Sequence, residues 1–332
     1  MKILILGAAG MIGRKLTERL IADRTILSAS DTLILHDVIP PQPPAAHTDT
    51  HIMHGDISAP EQAQTLAAMK PDLIFHLASI VSGEAEIEFD KGWSINMRGG
   101  WNLLEALRAE HEASGSNYRA KLIFASSIAV FGPPFPDAID DDFLCAPQTS
   151  YGAQKACVEM LVSDYARKGF IEGLSIRFPT ICVRPGKPNL AASGFFSGII
   201  REPLNGVEAV LPVDASVRHW HASPRSAASF LVQAASLSQQ DLKGRRALNM
   251  PGVSCTVEEQ IEALRAIAGE DVVKLIKPVP NPDIIKIVSG WPRNFNPERA
   301  VSLGFKAEQD FADIIRIYIE DDLPKAWSEA RG

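Results

Sequence analysis

The chain has 332 residues, of which 46% are hydrophobic and 22% are charged. This composition is typical of a soluble globular protein and excludes a disordered chain, a collagen and a coiled coil. The length exceeds what one compact core usually holds, so two domains, or one large domain with an appendage, are expected. A formal net charge of −7 argues against nucleic-acid and anionic-membrane partners and leaves small-molecule ligands open.

The cysteines and the N-terminus indicate a cytoplasmic protein. The four cysteines are too widely spaced for a Cys-x-x-Cys pair or a zinc framework and too few for a disulfide scaffold. The apolar run Ile3–Leu6 is interrupted by glycines well before the roughly 20 apolar residues that a membrane helix needs, so neither an anchor nor an export signal is expected. The histidine spacings do not form a helix-borne metal motif, and no metal is expected.

The first half of the chain alternates short apolar runs with amphipathic stretches. This pattern predicts a doubly wound parallel α/β sheet of the Rossmann type. The predicted strands are Lys2–Leu6, Thr32–His36, His51–His54, Asp72–Leu77 and Lys121–Ser126. Ile12, Leu16 and Leu20 recur at helical spacing after the first strand, and a longer helical stretch is predicted from about Glu84 to Glu110. The proline-rich segment 40–44 predicts a surface loop.

The second half is less regular. Beyond about residue 175, prolines punctuate short segments, as is typical of long loops that carry a binding site. Ser223 before Pro224 predicts a helix N-cap, and Thr256 with Glu259 predicts a capping box. We expect a nucleotide-binding domain over residues 1–176, with return segments near 215–250, and a smaller, partly interleaved domain over 177–332 that mainly binds substrate.

A glycine-rich segment lies directly between the first strand and the first helix, where such a pattern predicts a dinucleotide site. Gly7 allows a tight turn, Gly10 lets the backbone approach a pyrophosphate, and Gly13 lets the helix pack on the strand. Met11 and Ile12 then present backbone amides and the positive end of the helix dipole to the anion.

Asp37 indicates which dinucleotide binds. It ends the second strand, 24 residues after Gly13, close to the interval of about 20 expected for the carboxylate that binds the ribose hydroxyls. A carboxylate repels a 2′-phosphate, and no Arg or Lys follows before Pro40, so NAD is favoured over NADP. The alternative is that Asp37 caps a loop. Asp56 and Ile57, after the third strand, are candidate adenine contacts.

Three polar residues predict an acid–base site. Tyr151 and Lys155 stand four residues apart on one helix face, and Ser127 follows the fifth strand at the edge where open sheets bind ligands. To act as a base, the tyrosine's pKa must fall from about 10 to about 7, which takes roughly 4 kcal/mol. A positive charge about 4 Å away supplies about 4 kcal/mol at an effective dielectric of about 20. Ser127 would hold the substrate oxygen. The alternative roles are helix packing for Tyr151, a solvated face for Lys155 and a strand-end cap for Ser127.

The motifs together resemble the extended short-chain dehydrogenase/reductases, the group that contains nucleotide-sugar epimerases and dehydratases. The resemblance rests on the segments Gly7–Gly13, His76–Ser79, Ser126–Gly132 and Tyr151–Lys155 and on Asn96, and it covers essentially the whole chain. It implies a catalytic acid/base at Tyr151, a nicotinamide-ribose contact at Lys155 and a homodimer. It also implies further cofactor contacts at Leu77, Ala78, Asn96 and Thr180.

Three positions depart from that family's pattern. Ser79, a candidate substrate contact, stands where Ala is commoner, and Phe131 stands where many relatives have Tyr. Thr180 stands where many nucleotide-sugar members have Asn, which weakens an epimerase interpretation. The segments Arg177–Gly206 and Val217–His221 resemble one branch of the family, the D-erythronate dehydrogenases, which implies NAD-dependent oxidation of the C2 hydroxyl of a small sugar acid.

A sugar-acid substrate needs a cation for its carboxylate. Four arginines lie in the predicted substrate half: Arg184, Arg201, Arg218 and Arg225. Arg218, beside His219 and Trp220, is the first expectation, and Phe195 is a candidate pocket wall. The alternative for each arginine is a surface ion pair. Two other functions stay open, a nucleotide-sugar epimerase or dehydratase with tightly held NAD and a non-catalytic NAD-sensing regulator.

Overall fold

A computed structural model describes residues 1–47, 49–186 and 192–323. Residues 187–191, part of the segment that resembles the D-erythronate branch, lie outside the described residues. The strands are β1 (Lys2–Leu6), β2 (Thr32–Asp37), β3 (Thr50–His54), β4 (Leu73–His76), β5 (Lys121–Ser127), β6 (Glu172–Phe178), β7 (Thr180–Ile181), β8 (Ala209–Leu211), β9 (Arg218–Ala222), β10 (Ala247–Asn249), β11 (Val253–Thr256) and β12 (Ile276–Pro278).

The helices follow the strands in alternation through the first half of the chain. They are α1 (Met11–Asp23), α2 (Pro60–Ala68), α3 (Ser82–Ile87), α4 (Phe89–Gly92), α5 (Gly99–Ala113), α6 (Ser150–Arg167), α7 (Gly194–Leu204), α8 (Pro224–Ser236), α9 (Val257–Ala268), α10 (Glu270–Val273), α11 (Pro282–Ser289), α12 (Glu298–Ser302) and α13 (Phe311–Asp321). A π-helical segment, Trp93–Arg98, joins α4 to α5, and a 3₁₀ turn, Ile128–Val130, follows β5.

A seven-stranded parallel sheet in the order β10-β6-β5-β4-β1-β2-β3 forms the centre of the fold. Each of the five predicted strands is present, with ends that differ by at most one residue. The order of the strands reverses between β1 and β4, and in open α/β sheets the ligand crevice lies at this point, beyond the carboxyl ends of the strands.

Both faces of the sheet are covered. Ile3 and Ile5 of β1 join a core cluster with α1 and α8, whereas Leu4 and Leu6 join a second cluster with α2 and α5. Alternate residues of a strand point to opposite faces, so β1 is apolar and buried from Ile3 to Leu6. The predicted doubly wound fold is confirmed. β3 is the edge strand of the sheet and is largely exposed.

The predicted helix from about Glu84 to Glu110 is interrupted in the structure. At Glu88 the backbone leaves the helical region, with φ −100° and ψ 66°, and this residue separates α3 from α4. The π-helical segment then shifts the helix phase before α5 begins. The predicted helix starts are confirmed: Ser223 caps α8, and Thr256 and Glu259 form a capping box on α9.

The second half adds smaller sheets. β9 lies between β7, which is parallel to it, and β11, which is antiparallel, and β8 pairs with β12. A separate core cluster that includes Phe196, Leu264 and Phe311 supports these strands. β10 returns to the main sheet beside β6. The division into domains at residue 177 stays a prediction. Within the three described ranges, no helix has the length and apolar character needed to cross a membrane.

Candidate active site

The glycine loop after β1 has the geometry of a dinucleotide cradle. Gly7 has φ +86°, and a Cβ there would lie 2.7 Å from the backbone nitrogen of Ala78 after β4. A Cβ on Gly13 would clash with the carbonyl oxygen of Gly7. Helix α1 begins after Gly10 with no side-chain cap, so the amides of its first turn, which starts at Met11 and Ile12, are left for an anion. These residues fit the pyrophosphate of NAD.

Asp37 lies at the end of β2 against this loop. Its Oδ2 accepts from the backbone N–H of Ala9 at 2.9 Å, and its Oδ1 accepts from that of Val38 at 2.7 Å. Asp56 accepts from the N–H of Ser58 at 2.8 Å. Ile57 is buried in the core cluster of α2 and α5. The carboxylate of Asp37 is therefore fixed beside the cradle, where a ribose would lie.

Tyr151 lies in the first turn of α6, where it is half-buried. The side chain of Thr149 caps this helix by accepting from the N–H of Gly152 at 3.1 Å. The hydroxyls of Ser79 and Ser127 lie close enough to that of Tyr151 to affect its ionisation. Burial raises the pKa of Tyr151, while the Ser79 hydroxyl, the charge of Arg184 and the Ser127 hydroxyl lower it. The structure thus brings three predicted site residues together.

Lys155 is buried one turn further along α6, with a side chain 2% exposed. Its Nζ donates to the carbonyl oxygen of Ala125 at 2.9 Å and lies 5.5 Å from the centroid of the Tyr151 ring. Burial lowers the pKa of Lys155 to about 7, opposed by the charge of Glu159. The groups that shift the pKa of Tyr151 in the structure do not include Lys155, whose Nζ is directed at Ala125. The role of this lysine in lowering the tyrosine's pKa stays a prediction.

The residues after β4 form the opposite wall of the site. The N–H of Leu77 donates to the carbonyl oxygen of Leu6 at 2.8 Å, which holds the start of this segment at the sheet edge. Ser79 donates to Oδ1 of Asn96 at 3.0 Å, and the same oxygen accepts from the N–H of Ile80 at 2.9 Å. Asn96 comes from the π-helical segment and is buried. The predicted contacts Leu77, Ala78, Ser79 and Asn96 therefore lie near Gly7 and Tyr151.

Of the candidate arginines, Arg184 faces Tyr151 and has no acidic partner in the part of the chain that the structure describes. It is half-buried, its Nε donates to the carbonyl oxygen of Ile181 at 2.9 Å, and its Nη2 donates to Oγ of Ser193 at 3.0 Å. Among the described residues, no carboxylate forms an ion pair with it. Burial lowers its pKa, whereas the nearby Cys182 and Tyr151 raise it. A half-buried guanidinium of this kind could bind the carboxylate of a ligand in a charge-assisted hydrogen bond.

The other three arginines are already paired. Arg201 is buried and contacts Glu202 and the carbonyl oxygen of Arg184. Arg225 pairs with Glu320 at 2.9 Å and with Asp321. Arg218, the first expectation from sequence, donates to Glu259 at 3.1 Å. The structure therefore favours Arg184 over Arg218. Phe195, the expected pocket wall, stacks on Phe196 with ring centroids 4.1 Å apart.

Comparison with known proteins decides the family. The model of the "NAD dependent epimerase/dehydratase family" matches residues 3–236. The chain belongs to this family. It is 41% identical to a D-erythronate dehydrogenase from Cupriavidus necator over 97% of this chain and 98% of that protein. It is 38% identical to a D-erythronate dehydrogenase from Haemophilus influenzae over 97% of this chain and all of that protein.

A solved structure extends the comparison. The crystal structure of a protein named nucleoside-diphosphate-sugar epimerase from Agrobacterium tumefaciens has a TM-score of 0.93 and 52% identity, covering 97% of this chain and 94% of that one. Within the epimerase/dehydratase family, the similar proteins thus carry names for two different reactions.

Thr180 makes a contact that the family resemblance does not imply. It lies 2.7 Å from Nε2 of His219, whose Nδ1 lies 2.8 Å from the carbonyl oxygen of Pro292. Because that carbonyl can only accept, Nδ1 carries the proton and Nε2 accepts from the hydroxyl of Thr180. Burial lowers the pKa of His219 to about 4, so the ring is neutral near pH 7.

Sequence reasoning did not identify His219 or Gln154 as members of the site. Gln154 is fully buried between Tyr151 and Lys155 on α6, and its Oε1 accepts from Nδ2 of Asn96 at 2.8 Å. Its position in the chain was the available signal: three residues after Tyr151 is the same helix face, where an uncharged polar side chain needs a partner.

Proposed function

We propose that this chain is an NAD-dependent dehydrogenase that oxidises the C2 hydroxyl of D-erythronate to the 2-oxo acid, 2-dehydro-D-erythronate. The two full-length relatives named D-erythronate dehydrogenase support this substrate. The observation that carries the proposal is Arg184, a half-buried guanidinium that has no acidic partner among the described residues and faces Tyr151. A small acid supplies the missing negative charge and places its neighbouring carbon at the tyrosine.

The cofactor would be held by the glycine loop and the start of α1, with Asp37 on the ribose of its adenosine and Lys155 on its second ribose. NAD, when bound, supplies the ring that accepts a hydride from C2. Cofactor contacts at Asp56, Ile57, Leu77, Ala78, Asn96 and Thr180 are part of the same proposal.

The chain's own residues would bind the acid and move the proton. Arg184 binds the carboxylate in a charge-assisted hydrogen bond and so orients the molecule. Ser127 holds the C2 oxygen, and the ionised phenol oxygen of Tyr151 takes the proton of the C2 hydroxyl as the hydride leaves C2 and the carbonyl forms. Ser79, whose hydroxyl donates to Asn96, lines the wall opposite Tyr151 and would contact the substrate there.

The experiment tests a panel of substrates and measures NADH formation by its absorbance. The purified chain is incubated with NAD and, separately, D-erythronate, its C2 epimer D-threonate, D-glycerate and UDP-glucose. We expect net NADH formation with D-erythronate and little with the others. Absence of NADH from every sugar acid would overturn the proposal.

The name of the Agrobacterium structure makes an epimerase the second candidate. An epimerase would keep its NAD through a closed redox cycle, so a nucleotide sugar would be converted to its epimer with no net NADH. Chromatography of the UDP-glucose reaction detects that product. A regulator that only binds NAD would turn over nothing in the panel; the assembled Ser127, Tyr151 and Lys155 argue against it, because binding alone needs none of their chemistry.

The cysteines, the family resemblance and the net charge support proposals on location, subunit number and partners. All four cysteines are free, which suits the reducing cytoplasm predicted from the sequence. The family resemblance implies a homodimer, and sedimentation equilibrium of the purified chain measures it. The acidic net charge disfavours nucleic acid as a partner.

A further inference from the structure

We propose that His219 and Thr180 select the substrate together: the neutral ring of His219 takes the hydroxyl proton of Thr180, and the Thr180 oxygen then accepts from a second hydroxyl of the substrate, beyond C2. The inference rests on the proposed function, since it takes a hydroxy acid as the substrate and Arg184 as its carboxylate site. Within that function it assigns the feature that separates a polyhydroxy acid from a simple 2-hydroxy acid.

Thr180 lies at the edge of the sheet where the ligand crevice opens. Ser127 at the end of β5 is the register partner of Phe178 at the end of β6, and Thr180 follows Phe178 by two residues. Thr180 starts β7 and is half-buried. Ligands of open α/β sheets bind beyond the carboxyl ends of the strands. Thr180 is therefore at the same edge as Ser127, which would hold the C2 oxygen.

The contacts of His219 decide where the hydroxyl proton of Thr180 points. Nδ1 of the ring lies 2.8 Å from the carbonyl oxygen of Pro292, and Nε2 lies 2.7 Å from Oγ1 of Thr180. A carbonyl oxygen only accepts, so Nδ1 carries a proton, and in a neutral ring Nε2 then has a lone pair. Thr180 therefore donates to Nε2, and its oxygen keeps only lone pairs for any other partner.

The surroundings of His219 keep its ring uncharged. The side chain is 2% exposed, and its ring stacks on that of Phe196 with centroids 5.2 Å apart and an angle of 4° between the planes. None of the ion pairs within residues 1–47, 49–186 and 192–323 includes His219, and the charge near it, Arg184, is also positive. A buried imidazolium would lose its hydration and gain no counter-charge, so the neutral form is favoured.

A cation and a hydrogen-bond acceptor thus lie close together in the substrate half. Nε of Arg184 donates to the carbonyl oxygen of Ile181, the residue that follows Thr180. A guanidinium only donates, whereas the oxygen of Thr180 now only accepts. A carboxylate is attracted to Arg184 and repelled by the lone pairs of Thr180, while a hydroxyl can donate to Thr180. The two residues therefore fit an acid with hydroxyls beyond C2, and they fix which end of the acid faces Arg184.

The test compares D-erythronate with D-2-hydroxybutanoate, which has the same carbon chain and carboxylate but no hydroxyl beyond C2. In the wild type we expect kcat/KM to favour D-erythronate by about tenfold or more. Thr180→Val removes the acceptor and should reduce this preference by about three- to tenfold, through a lower kcat/KM for D-erythronate. Thr180→Ser should keep the preference. Thr65→Val, at an exposed position on α2, is the matched control and should change neither constant.

Variants of His219 test its positioning role. His219→Phe keeps an aromatic ring against Phe196 but removes the acceptor, so Thr180 can turn its proton toward the crevice and the preference should fall as in Thr180→Val. His219→Gln, whose amide oxygen can accept from Thr180, should restore part of it. In a Thr180→Val background, His219→Phe should cause no further loss of preference. A further loss of the same size would contradict the coupling of the two residues.

A measurement on the wild-type protein keeps the proposal testable if a His219 variant fails to fold. Nitrogen NMR of isotope-labelled histidine distinguishes ring nitrogens that carry a proton from those that do not. Among the eight histidines, His219 is the one whose Nε2 signal should move in Thr180→Val. We expect a proton on Nδ1 and none on Nε2 near neutral pH. A protonated Nε2 would overturn the proposal, because Thr180 would then accept from the ring.

The outcomes also separate this inference from the proposed function. If the wild-type protein oxidises no hydroxy acid, both are wrong. If it oxidises D-erythronate but Thr180→Val lowers kcat/KM equally for both acids, the proposed function stands and the specificity role is contradicted. A rise in the KM for NAD with an unchanged preference would likewise contradict it, since Thr180 would then serve the cofactor alone.

Discussion

Oδ2 of Asp37 accepts a hydrogen bond from the backbone N–H of Ala9 at 2.9 Å, which ties the end of β2 to the glycine loop. The carboxylate therefore has two tasks, holding the loop and binding the ribose hydroxyls of the cofactor. Val38 and Ile39, which follow it, are exposed and bring no positive charge for a 2′-phosphate.

The first prediction concerns cofactor choice. Asp37→Ala should raise the KM for NAD by about tenfold or more, since a hydrogen bond to a charged group is worth about 1.5–3 kcal/mol. The KM for NADP should change less or fall, because the repulsion of its 2′-phosphate is removed. Steady-state kinetics with both cofactors measures the ratio. Asp37→Asn keeps an oxygen that can accept from Ala9, so it separates the effect on the loop from the effect on ribose binding. An equal rise in KM for NAD and for NADP would contradict the assignment of Asp37 to the ribose.

The second prediction concerns the proton. Tyr151→Phe removes the hydroxyl and should reduce kcat by about 100- to 10,000-fold, the usual contribution of general acid–base catalysis. NAD binding, followed by quenching of tryptophan fluorescence, should be unaffected. Tyr165→Phe, on the same helix but paired with Glu105, is the matched control. Near-normal turnover of the Tyr151→Phe variant would contradict the assignment of Tyr151 as the proton acceptor.

The third prediction distinguishes the arginines. Arg184→Met should lower kcat/KM for D-erythronate by roughly 10- to 100-fold, in line with the loss of one charge-assisted hydrogen bond. The KM for NAD should stay constant. Arg218→Met, which removes an exposed partner of Glu259, should change the same constant by less than about threefold. If Arg218→Met lowered kcat/KM more than Arg184→Met did, Arg218 would be the residue that binds the substrate's carboxylate.

The parts of this structure that depend on local pattern were predictable from the sequence. The strands were predictable because buried parallel strands are short apolar runs bounded by turn residues. The pairing of Tyr151 with Lys155 was predictable because a spacing of four residues places both on one helix face. The break at Glu88 was not, since apolar periodicity on either side of it continues and the change is one of backbone angles.

The remaining parts of the site depend on contacts between distant segments. Gln154 and Asn96 are 58 residues apart, and neither residue type indicates the other. All four arginines are cations in the sequence, but only the fold shows that Glu259, Glu202 and Glu320 neutralise three of them, whereas Arg184 has no acidic partner among the described residues. The pKa of Tyr151 likewise depends on burial and on Ser79, Arg184 and Ser127, which come from other parts of the chain.

The fourth prediction concerns a buried ion pair. Glu159 on α6 and Arg177 on β6 are 6% and 8% exposed, and Nη2 of the arginine lies 2.7 Å from Oε2 of the glutamate. Glu159→Gln leaves the guanidinium buried without its counter-charge and should lower the free energy of unfolding by about 3 kcal/mol. Urea denaturation measures it. Asp164→Asn, in an exposed pair with Arg167 on the same helix, should cost less than about 1 kcal/mol.

The fifth prediction concerns acid stability. His76 on β4 is 1% exposed, and neither ring nitrogen has a hydrogen-bond partner among the described residues. Burial, with the nearby charges of Lys155 and His36, lowers its pKa to about 3. The folded protein therefore keeps this ring neutral, whereas the unfolded chain takes up a proton below about pH 6.5. The stability linked to His76 is fully present above that pH and is lost as the pH falls toward 3.

His76→Leu removes this dependence while filling most of the same space beside Phe124. Between about pH 7 and about pH 5, the free energy of unfolding of the wild type should fall by about 2 kcal/mol more than that of the variant. Denaturant titrations at both pH values give the two differences. For His51→Leu, at an exposed position on β3, the free energy of unfolding should fall by the same amount as in the wild type. If it also fell by that amount in His76→Leu, protonation of the His76 ring would not be what destabilises the fold in acid.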